Sequence, residues 1–366
     1  MPGERSPGTP VPVTGRARTS SSAAWEERWH PFREEWVIVA GHRQGRPWQG
    51  HTSVAQSDEV PGFAPDCHLC PGNHRINGAK NPDYRGVHVF DNDHPSVGPD
   101  APTDLATPPP PYRNRPATGI ARVICYDPRH DLSLARMSLP AVSRVVEVWS
   151  RQTTDLGARP DVQQVLVFEN KGEVVGVSNP HPHGQVYATN FTWTTFDREL
   201  DAQRRHLQEA GRGLMADVIA AEQADGRRVV WEDEHVISFV PWFARYAYEA
   251  HVVPKRRVSH VSALRDVELE SLARALKDLT VRFDNLWQQP FPYVSVLHQA
   301  PTDGDDHRAY HFYVGFLPPL RRPDTLKFLG GPEIGGGNFL SDTAPEEKAA
   351  ELRSQSTVHH RETDSR

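Results

Sequence analysis

Two distant runs of this chain are variants of one pattern, and that repetition narrows the folds open to it. Val89-Phe90-Asp91-Asn92-Asp93-His94 is echoed by Val230-Trp231-Glu232-Asp233-Glu234-His235. A helical pattern follows each. In the first, Val142, Val145, Val146 and Trp149 recur at helical spacing, with Ser138 able to cap, Pro140 suited to the first turn and a stop at Gly157. In the second, Leu269, Leu272, Ala273, Leu276 and Leu279 form the equivalent stripe. Both stripes read as core. Strand patterns come next, Val162 to Phe168 in one copy and Tyr293 to His298 in the other. Two degenerate copies of one unit are implied.

The copies differ where chemistry is concentrated. The first carries Ser178-Asn179-Pro180-His181-Pro182-His183-Gly184-Gln185, running into the strand pattern Val186-Tyr187-Ala188, while the second has Tyr310-His311-Phe312-Tyr313 in that place. Side chains alternate on an extended segment, so His181, His183 and Gln185 are expected on one face. Pro180 and Pro182 stiffen the approach by fixing φ and removing two donors. A lone histidine is usually a hydrogen-bonded structural residue, but this one stands in a row. Neutral imidazole attacks phosphorus well once its second nitrogen is held by a hydrogen bond, and His183, central in the row, is best placed for that. Only the first copy is expected to do chemistry.

The formal charge of −6 gives no basic footprint, which argues against nucleic acid as a partner. No apolar run approaches a membrane span. Met1 to Ala24, rich in Pro, Ser, Gly and Arg and lacking the apolar centre of a signal peptide, reads as a disordered tail on a cytoplasmic protein. Three cysteines do not make a disulfide framework. Cys67 and Cys70 form a Cys-x-x-Cys pair, either a redox couple or half of a zinc site, while Cys125 lies in the apolar run Ala121 to Tyr126 and reads as core. Gly98 to Gly119, with consecutive prolines Pro108 to Pro111, reads as a loop.

Phe168-Glu169-Asn170-Lys171-Gly172, Gly176 and the histidine string, with His42-Arg43-Gln44-Gly45-Arg46-Pro47-Trp48-Gln49-Gly50 upstream, resemble the galactose-1-phosphate uridylyltransferase family, a branch of the histidine-triad superfamily. The resemblance runs from near Arg28 to near Arg353. It implies an α+β fold of two histidine-triad-like halves, with a mainly antiparallel sheet and flanking helices. Residues 25–195 and 196–342 are the expected halves, with a tail at 1–24 and a C-terminal helix and tail at 343–366. The implied reaction converts UDP-glucose and galactose 1-phosphate to glucose 1-phosphate and UDP-galactose, through a uridylyl group carried on His183. Histidine-triad hydrolases have a third histidine where this chain has Gln185. A neutral amide is neither acid nor base, yet it can hydrogen-bond phosphoryl oxygens, which favours transfer over hydrolysis.

The resemblance also assigns roles. It closes a structural zinc site from Cys67, Cys70, His130 and His181. Arg43 and Arg46 become phosphate or sugar-phosphate contacts, and arginine's planar fork suits phosphate oxygens. Asn92 and Asp93 become uridine contacts, where the residues alone read as an Asn-Asp turn. Asn170, Gly176 and Ser178 are expected near the phosphates. Lys327, Phe328 and Glu333 are expected to touch the hexose, partly across a homodimer interface, and the glycine-rich segment after Glu333 departs from the family pattern. A second divalent metal is implied at Glu199, His298 and His311, but its fourth position holds Tyr313, a poor ligand beside imidazoles. Glu199 reads equally as a solvated residue of the charged stretch Phe196 to Gln208. Competing readings are an ADP-sugar or dinucleoside-polyphosphate phosphorylase, a histidine-triad hydrolase, and a non-catalytic module that binds zinc and a nucleotide.

Overall fold

The computed structural model describes residues 24–45, 60–177 and 179–363. A hairpin of β1 (Trp25–His30) and β2 (Glu35–Ala40) comes first. The first half then supplies β3 (His88–Asp91), β4 (Gly119–Cys125), helix α1 (Leu139–Gly157), β5 (Gln164–Lys171) and β6 (His183–Thr189). Helices α2 (Thr194–Ala210) and α3 (Leu214–Asp225) lead to β7 (Val229–Glu232), β8 (Val236–Phe239), β9 (Ala250–Pro254), α4 (Asp266–Trp287), β10 (Tyr293–His298) and β11 (Tyr313–Leu317). Short strands β12 (Leu320–Arg322), β13 (Thr325–Leu326) and β14 (Leu340–Ser341) precede α5 (Pro345–Arg353) and a last turn, α6 (His360–Thr363).

One nine-stranded antiparallel sheet, ordered β3-β4-β6-β5-β10-β11-β9-β8-β7, runs through both halves. The order β3-β4-β6-β5 is repeated as β8-β9-β11-β10, so the unit is duplicated. The copies meet where β5 pairs with β10, Asn170 opposite Val294. The echo seen in the sequence is displaced by one strand. Val230 to His235 forms β7 and the turn after it, an extra edge strand, while β8 holds the place of β3. Local hydrogen bonds explain the difference: Asp233 Oδ1 accepts the N–H of both His235 and Val236 and folds the chain into a hairpin, whereas Asn92 Oδ1 accepts the N–H of His94 and the chain departs into the proline-rich loop.

Helices α1 and α4 pack together on one face of the sheet. Val142, Val145, Val146 and Trp149 are buried there with Leu272, Ala273, Leu276 and Leu279, as their spacing predicts. Full burial of one such aliphatic side chain contributes roughly 1.5–3 kcal/mol, so the two stripes decide which sheet face is covered. Along β6 the face toward the helices carries Gly184, Val186 and Ala188, and the opposite face carries His183, Gln185 and Tyr187. Gly184 is required by close approach: a Cβ there would lie 2.2 Å from the Tyr126 hydroxyl. A separate sheet, β1-β2-β14, ties the chain's two ends together through parallel pairing of Leu340 with Ile38 and Ser341 with Val39. No helix among the described residues is long and apolar enough to cross a membrane.

Candidate active site

Strand β6 begins at His183, and His181 lies before it. The expectation that His181 shares a face with His183 and Gln185 is therefore corrected. Pro180 and Pro182 have no N–H for a ladder, and His181 is drawn toward the cysteines instead. The two histidines are coupled through the main chain. His183 Nδ1–H donates to the carbonyl oxygen of His181 at 2.7 Å, which fixes the tautomer and leaves Nε2 with the lone pair. Burial holds the His183 pKa below the ordinary 6.5 against the opposing pull of that carbonyl, so the ring is neutral at neutral pH.

His183 and Asn170 line a cavity of about 460 Å³ at the end of the sheet where β5 stops and β6 starts. Gln185 does not line it; its Oε1 accepts a hydrogen bond from the Tyr187 hydroxyl at 3.3 Å. Gly176 has φ +87° in the turn after β5, and a Cβ there would meet nothing within 4 Å. The left-handed conformation favours glycine at that position. Arg46 and Ser178 lie outside the described residues.

Beside His183, one ligand atom each from Cys67, Cys70, His130 and His181 come within 4.8 Å of one another, all four residues buried. Cys70 Sγ is 3.5 Å from Nδ1 of both His130 and His181. Two thiols and two imidazoles are a donor set that suits tetrahedral zinc. The surroundings fit as well. His181 Nε2–H donates to the carbonyl of Asp127 at 2.9 Å, which turns the Nδ1 lone pair toward the thiols, and burial next to His130 pushes the ring down to about 3, into its neutral, ligating form. Cys67 Sγ accepts from the N–H of Leu69 (3.3 Å) and from Asn179 Nδ2 (3.4 Å).

A histidine held by main chain thus lines a cavity next to a Cys2His2 cluster, on a duplicated antiparallel sheet. Residues 17–192 match the model of the galactose-1-phosphate uridyl transferase N-terminal domain, and residues 199–364 match that of its C-terminal domain. The chain belongs to this family. A galactose-1-phosphate uridylyltransferase of Haemophilus influenzae is 39% identical over 336 residues, covering 92% of this chain and 95% of that protein. The Rattus norvegicus protein of the same name is 36% identical over 338 residues, covering 91% and 88%. The solved structure of a uridylyltransferase superposes with a TM-score of 0.73 at 28% identity, covering 90% of this chain and 97% of its own. An Arabidopsis thaliana ADP-glucose phosphorylase with bound ADP-glucose shares the fold, with a TM-score of 0.72 at 22% identity over 90% of this chain and 99% of its own.

The other residues singled out by resemblance to the galactose-1-phosphate uridyl transferase family fall into separate places. Arg43 pairs with Asp342 (3.1 Å), and Lys327 pairs with Glu333 (3.0 Å) while donating to the carbonyl of Leu340 (2.7 Å). These three gather around β14, with Phe328 exposed. Neither they nor Phe328 line the cavity at His183. Asn92 makes the Asx turn that its residue type favours, and Asp93 accepts from Asn77 Nδ2 (2.7 Å) and faces Arg75 (3.7 Å).

Glu199 is not a solvated residue. It is buried on α2, where Oε2 accepts from His298 Nδ1 (3.0 Å) and the Tyr310 hydroxyl (2.8 Å), and Oε1 accepts from the Tyr313 hydroxyl (3.0 Å). His311 stands apart and donates from Nε2 to the carbonyl of Pro254 at 2.7 Å. The Glu199 carboxylate is thus satisfied by His298, Tyr310 and Tyr313, and His311 is not among its partners.

Sequence reasoning missed several supports of the site. Tyr84 donates to the carbonyl of Leu69 (2.6 Å) and lies 3.0 Å from His181 Nε2. Asn179 Oδ1 accepts the N–H of His181 (3.1 Å). Asn179 sits inside the motif, so its position was a signal; the carbonyls of Asp127 and His181 have no side-chain signature at all. From sequence, the C-terminal segment at the cavity wall, His359 to Arg361, is part of a helix and tail with no site signal.

Proposed function

We propose that the chain transfers a uridylyl group between hexose 1-phosphates by a two-step displacement on His183, with UDP-glucose as donor and galactose 1-phosphate as acceptor. His183 Nε2 attacks the α-phosphorus of UDP-glucose, forming a P–N bond as the P–O bond to glucose 1-phosphate breaks. A phosphate oxygen of galactose 1-phosphate then attacks the same phosphorus, the P–N bond breaks, and UDP-galactose leaves. Two displacements at one nucleophile retain configuration at phosphorus. The observation that carries this reading is the 2.7 Å bond from His183 Nδ1–H to the His181 carbonyl, which orients a neutral imidazole with its lone pair available beside the cavity. Family membership supplies the substrates, since the relatives are named for galactose 1-phosphate and the uridylyl group.

Zinc held by Cys67, Cys70, His130 and His181 would have a structural role, because four protein donors leave no position for water or substrate. It would hold the main chain of His181, and with it the Nδ1 side of His183. Gln185 shares the sheet face of His183 and is suited to stabilise a phosphoryl oxygen. Asn92 and Asp93 remain the proposed uridine contacts, and Asn170, Gly176 and Ser178 the phosphate contacts. The separation of Arg43, Lys327, Phe328 and Glu333 from the cavity supports a homodimer in which one chain's patch serves the other chain's cavity.

Incubation with uridine-labelled UDP-glucose tests the proposal. Labelled protein and one equivalent of glucose 1-phosphate are expected, with UDP-galactose formed only when galactose 1-phosphate is added. Label that persists in His183→Ala would remove His183 as the nucleophile. Transfer from ADP-glucose to inorganic phosphate in place of uridylyl exchange would make the chain a phosphorylase, and release of UMP without acceptor would make it a hydrolase.

A further inference from the structure

The end of β5 carries Asn170 toward the nucleophile with little help from β6. Pairing of the two strands stops at Phe168 opposite Gln185, and the same register two residues further on sets Asn170 across from His183. The Phe168 ring packs on Tyr187, centroids 5.1 Å apart, so Phe168 and Asn170 lie on the sheet face that carries His183 and Gln185. Glu169 and Lys171 point the other way, with Val165 and Val167, toward the helices. What fixes Asn170 therefore acts through β10, where Val294 is its partner, and through the side chains on the helix side of the strand.

On that side a buried carboxylate of α4 collects the segments. Asp284 Oδ1 accepts from the Lys171 ammonium at 2.9 Å and from the N–H of Phe291, which leads into β10, at 2.8 Å. One oxygen thus holds both the strand that carries Asn170 and the approach to its partner strand. Oδ2 lies 3.4 Å from His359 Nε2; His359 Nδ1 accepts the N–H of Arg361, so Nε2 bears the proton that Asp284 receives. Asn285, next on the helix, donates to the carbonyls of Ser356 (2.9 Å) and Val358 (2.8 Å) and keeps that segment in place. Lys171, Asp284 and His359 line the same cavity as Asn170 and His183. Glu169 also lies near Lys171, but full burial pushes its carboxyl up to about 8, so it is protonated at neutral pH. Burial works against the Asp284 charge as well, yet the Lys171 ammonium outweighs it and holds this carboxyl below the ordinary range. Asp284 is the acid that balances Lys171, and a charge-assisted hydrogen bond holds its geometry more tightly than a neutral one.

We propose that Asp284 is a positioning residue for the transfer: through Lys171 and the Phe291 N–H it sets where Asn170 stands relative to His183, and so where the reacting phosphate is held. It touches no reacting atom. The assignment rests on the uridylyl-transfer reading above for the identity of the ligand and for Asn170 as a phosphate contact.

A double-mutant cycle with Asn170 decides it. Asp284→Asn keeps an oxygen for the Phe291 N–H and removes the charge that holds Lys171. Single-turnover labelling by uridine-labelled UDP-glucose is expected to slow by about tenfold or more, the scale of a small misplacement at a reacting centre. Binding of UDP, read by titration calorimetry, should weaken in the same direction. In an Asn170→Ala background the same substitution should cost less than about threefold, because the group it places is gone. Lys171→Met, a milder change at the cavity wall, is expected to repeat both results and carries the cycle if Asp284→Asn does not fold. Equal losses with and without Asn170 would overturn the assignment, since they mark general support of the fold, as would labelling at the parental rate in either variant. UDP binding is read without turnover, so the outcomes separate. A wild-type protein that binds UDP but takes up no label sinks the transfer reading and leaves the cycle in UDP affinity to judge Asp284; one that binds no UDP sinks the phosphate at Asn170 and the assignment with it.

Discussion

His181 faces two ways: its carbonyl oxygen accepts the Nδ1–H of His183 at 2.7 Å, and its own Nδ1 lies 3.5 Å from Cys70 Sγ. One residue thereby links the cysteine-histidine cluster to the orientation of the nucleophile. Displacement of the cluster moves the acceptor that fixes the His183 tautomer.

Cys70→Ser is accordingly expected to lose zinc, lower the thermal midpoint and slow formation of the uridylyl-enzyme by about tenfold or more, the scale seen when a metal site's support is removed. Metal analysis and single-turnover labelling read the two effects. Full-rate labelling by a zinc-free Cys70→Ser protein would separate the cluster from His183.

The fit of Tyr126 under Gly184 sets up a compensating pair. Gly184→Ala places a Cβ 2.2 Å from the Tyr126 hydroxyl and 3.0 Å from its Cζ and from the carbonyl of Phe168. Overpacking of this kind destabilises by about 1–3 kcal/mol and should bend β6 at His183, lowering kcat as well. Tyr126→Phe in the same chain removes the nearest atom and should recover part of the stability in urea unfolding. Strictly additive effects would mean that the clash is relieved elsewhere.

Glu199 depends on three donors. Tyr313→Phe deletes one of them and leaves a buried carboxylate oxygen unsatisfied, at a cost of about 1–3 kcal/mol. Tyr310→Phe should cost a similar amount. Urea unfolding measures both, and metal content should be the same in each variant as in the parent. Loss of a bound metal in Tyr313→Phe would contradict the hydrogen-bonded cluster.

Glu169 gives a pH signature. Burial raises its carboxyl from 4.5 to about 8 in the fold, with Lys171 and the Tyr293 hydroxyl pulling down and Asp284 pushing up. A raised pKa means that the fold favours the protonated form. The associated stability is complete below 4.5 and is lost as pH rises through about 8. Wild-type stability should therefore fall relative to Glu169→Gln across that interval and level off above it. Parallel profiles for the two proteins would show that Glu169 ionises normally.

Patterns carried by neighbouring residues were legible in the sequence. The stripes of α1 and α4 follow from helical periodicity, and β10 has the expected limits, because burial of a repeating apolar face is a local property. The cluster of Cys67, Cys70, His130 and His181 was legible by resemblance, since its donors are chemically distinctive. Glu199 was ambiguous, as one carboxylate on a charged helix looks the same whether it faces water or two tyrosines.

The sequence by itself determined the duplicated unit, the histidine motif and the Cys67-Cys70 pair, all of which depend on residue type and spacing, and resemblance added His130 and His181 as donors. Tertiary structure alone decided that β6 starts at His183, that a main-chain carbonyl orients its ring, that Arg43 and Lys327 gather on β14, and that the C-terminal segment walls the cavity. The physical reason is the same in each case. Backbone hydrogen bonds look alike at every residue, and an ion pair between Lys171 and Asp284, or a clamp from Asn285 to Val358, exists only once folding has brought distant segments within 3 Å.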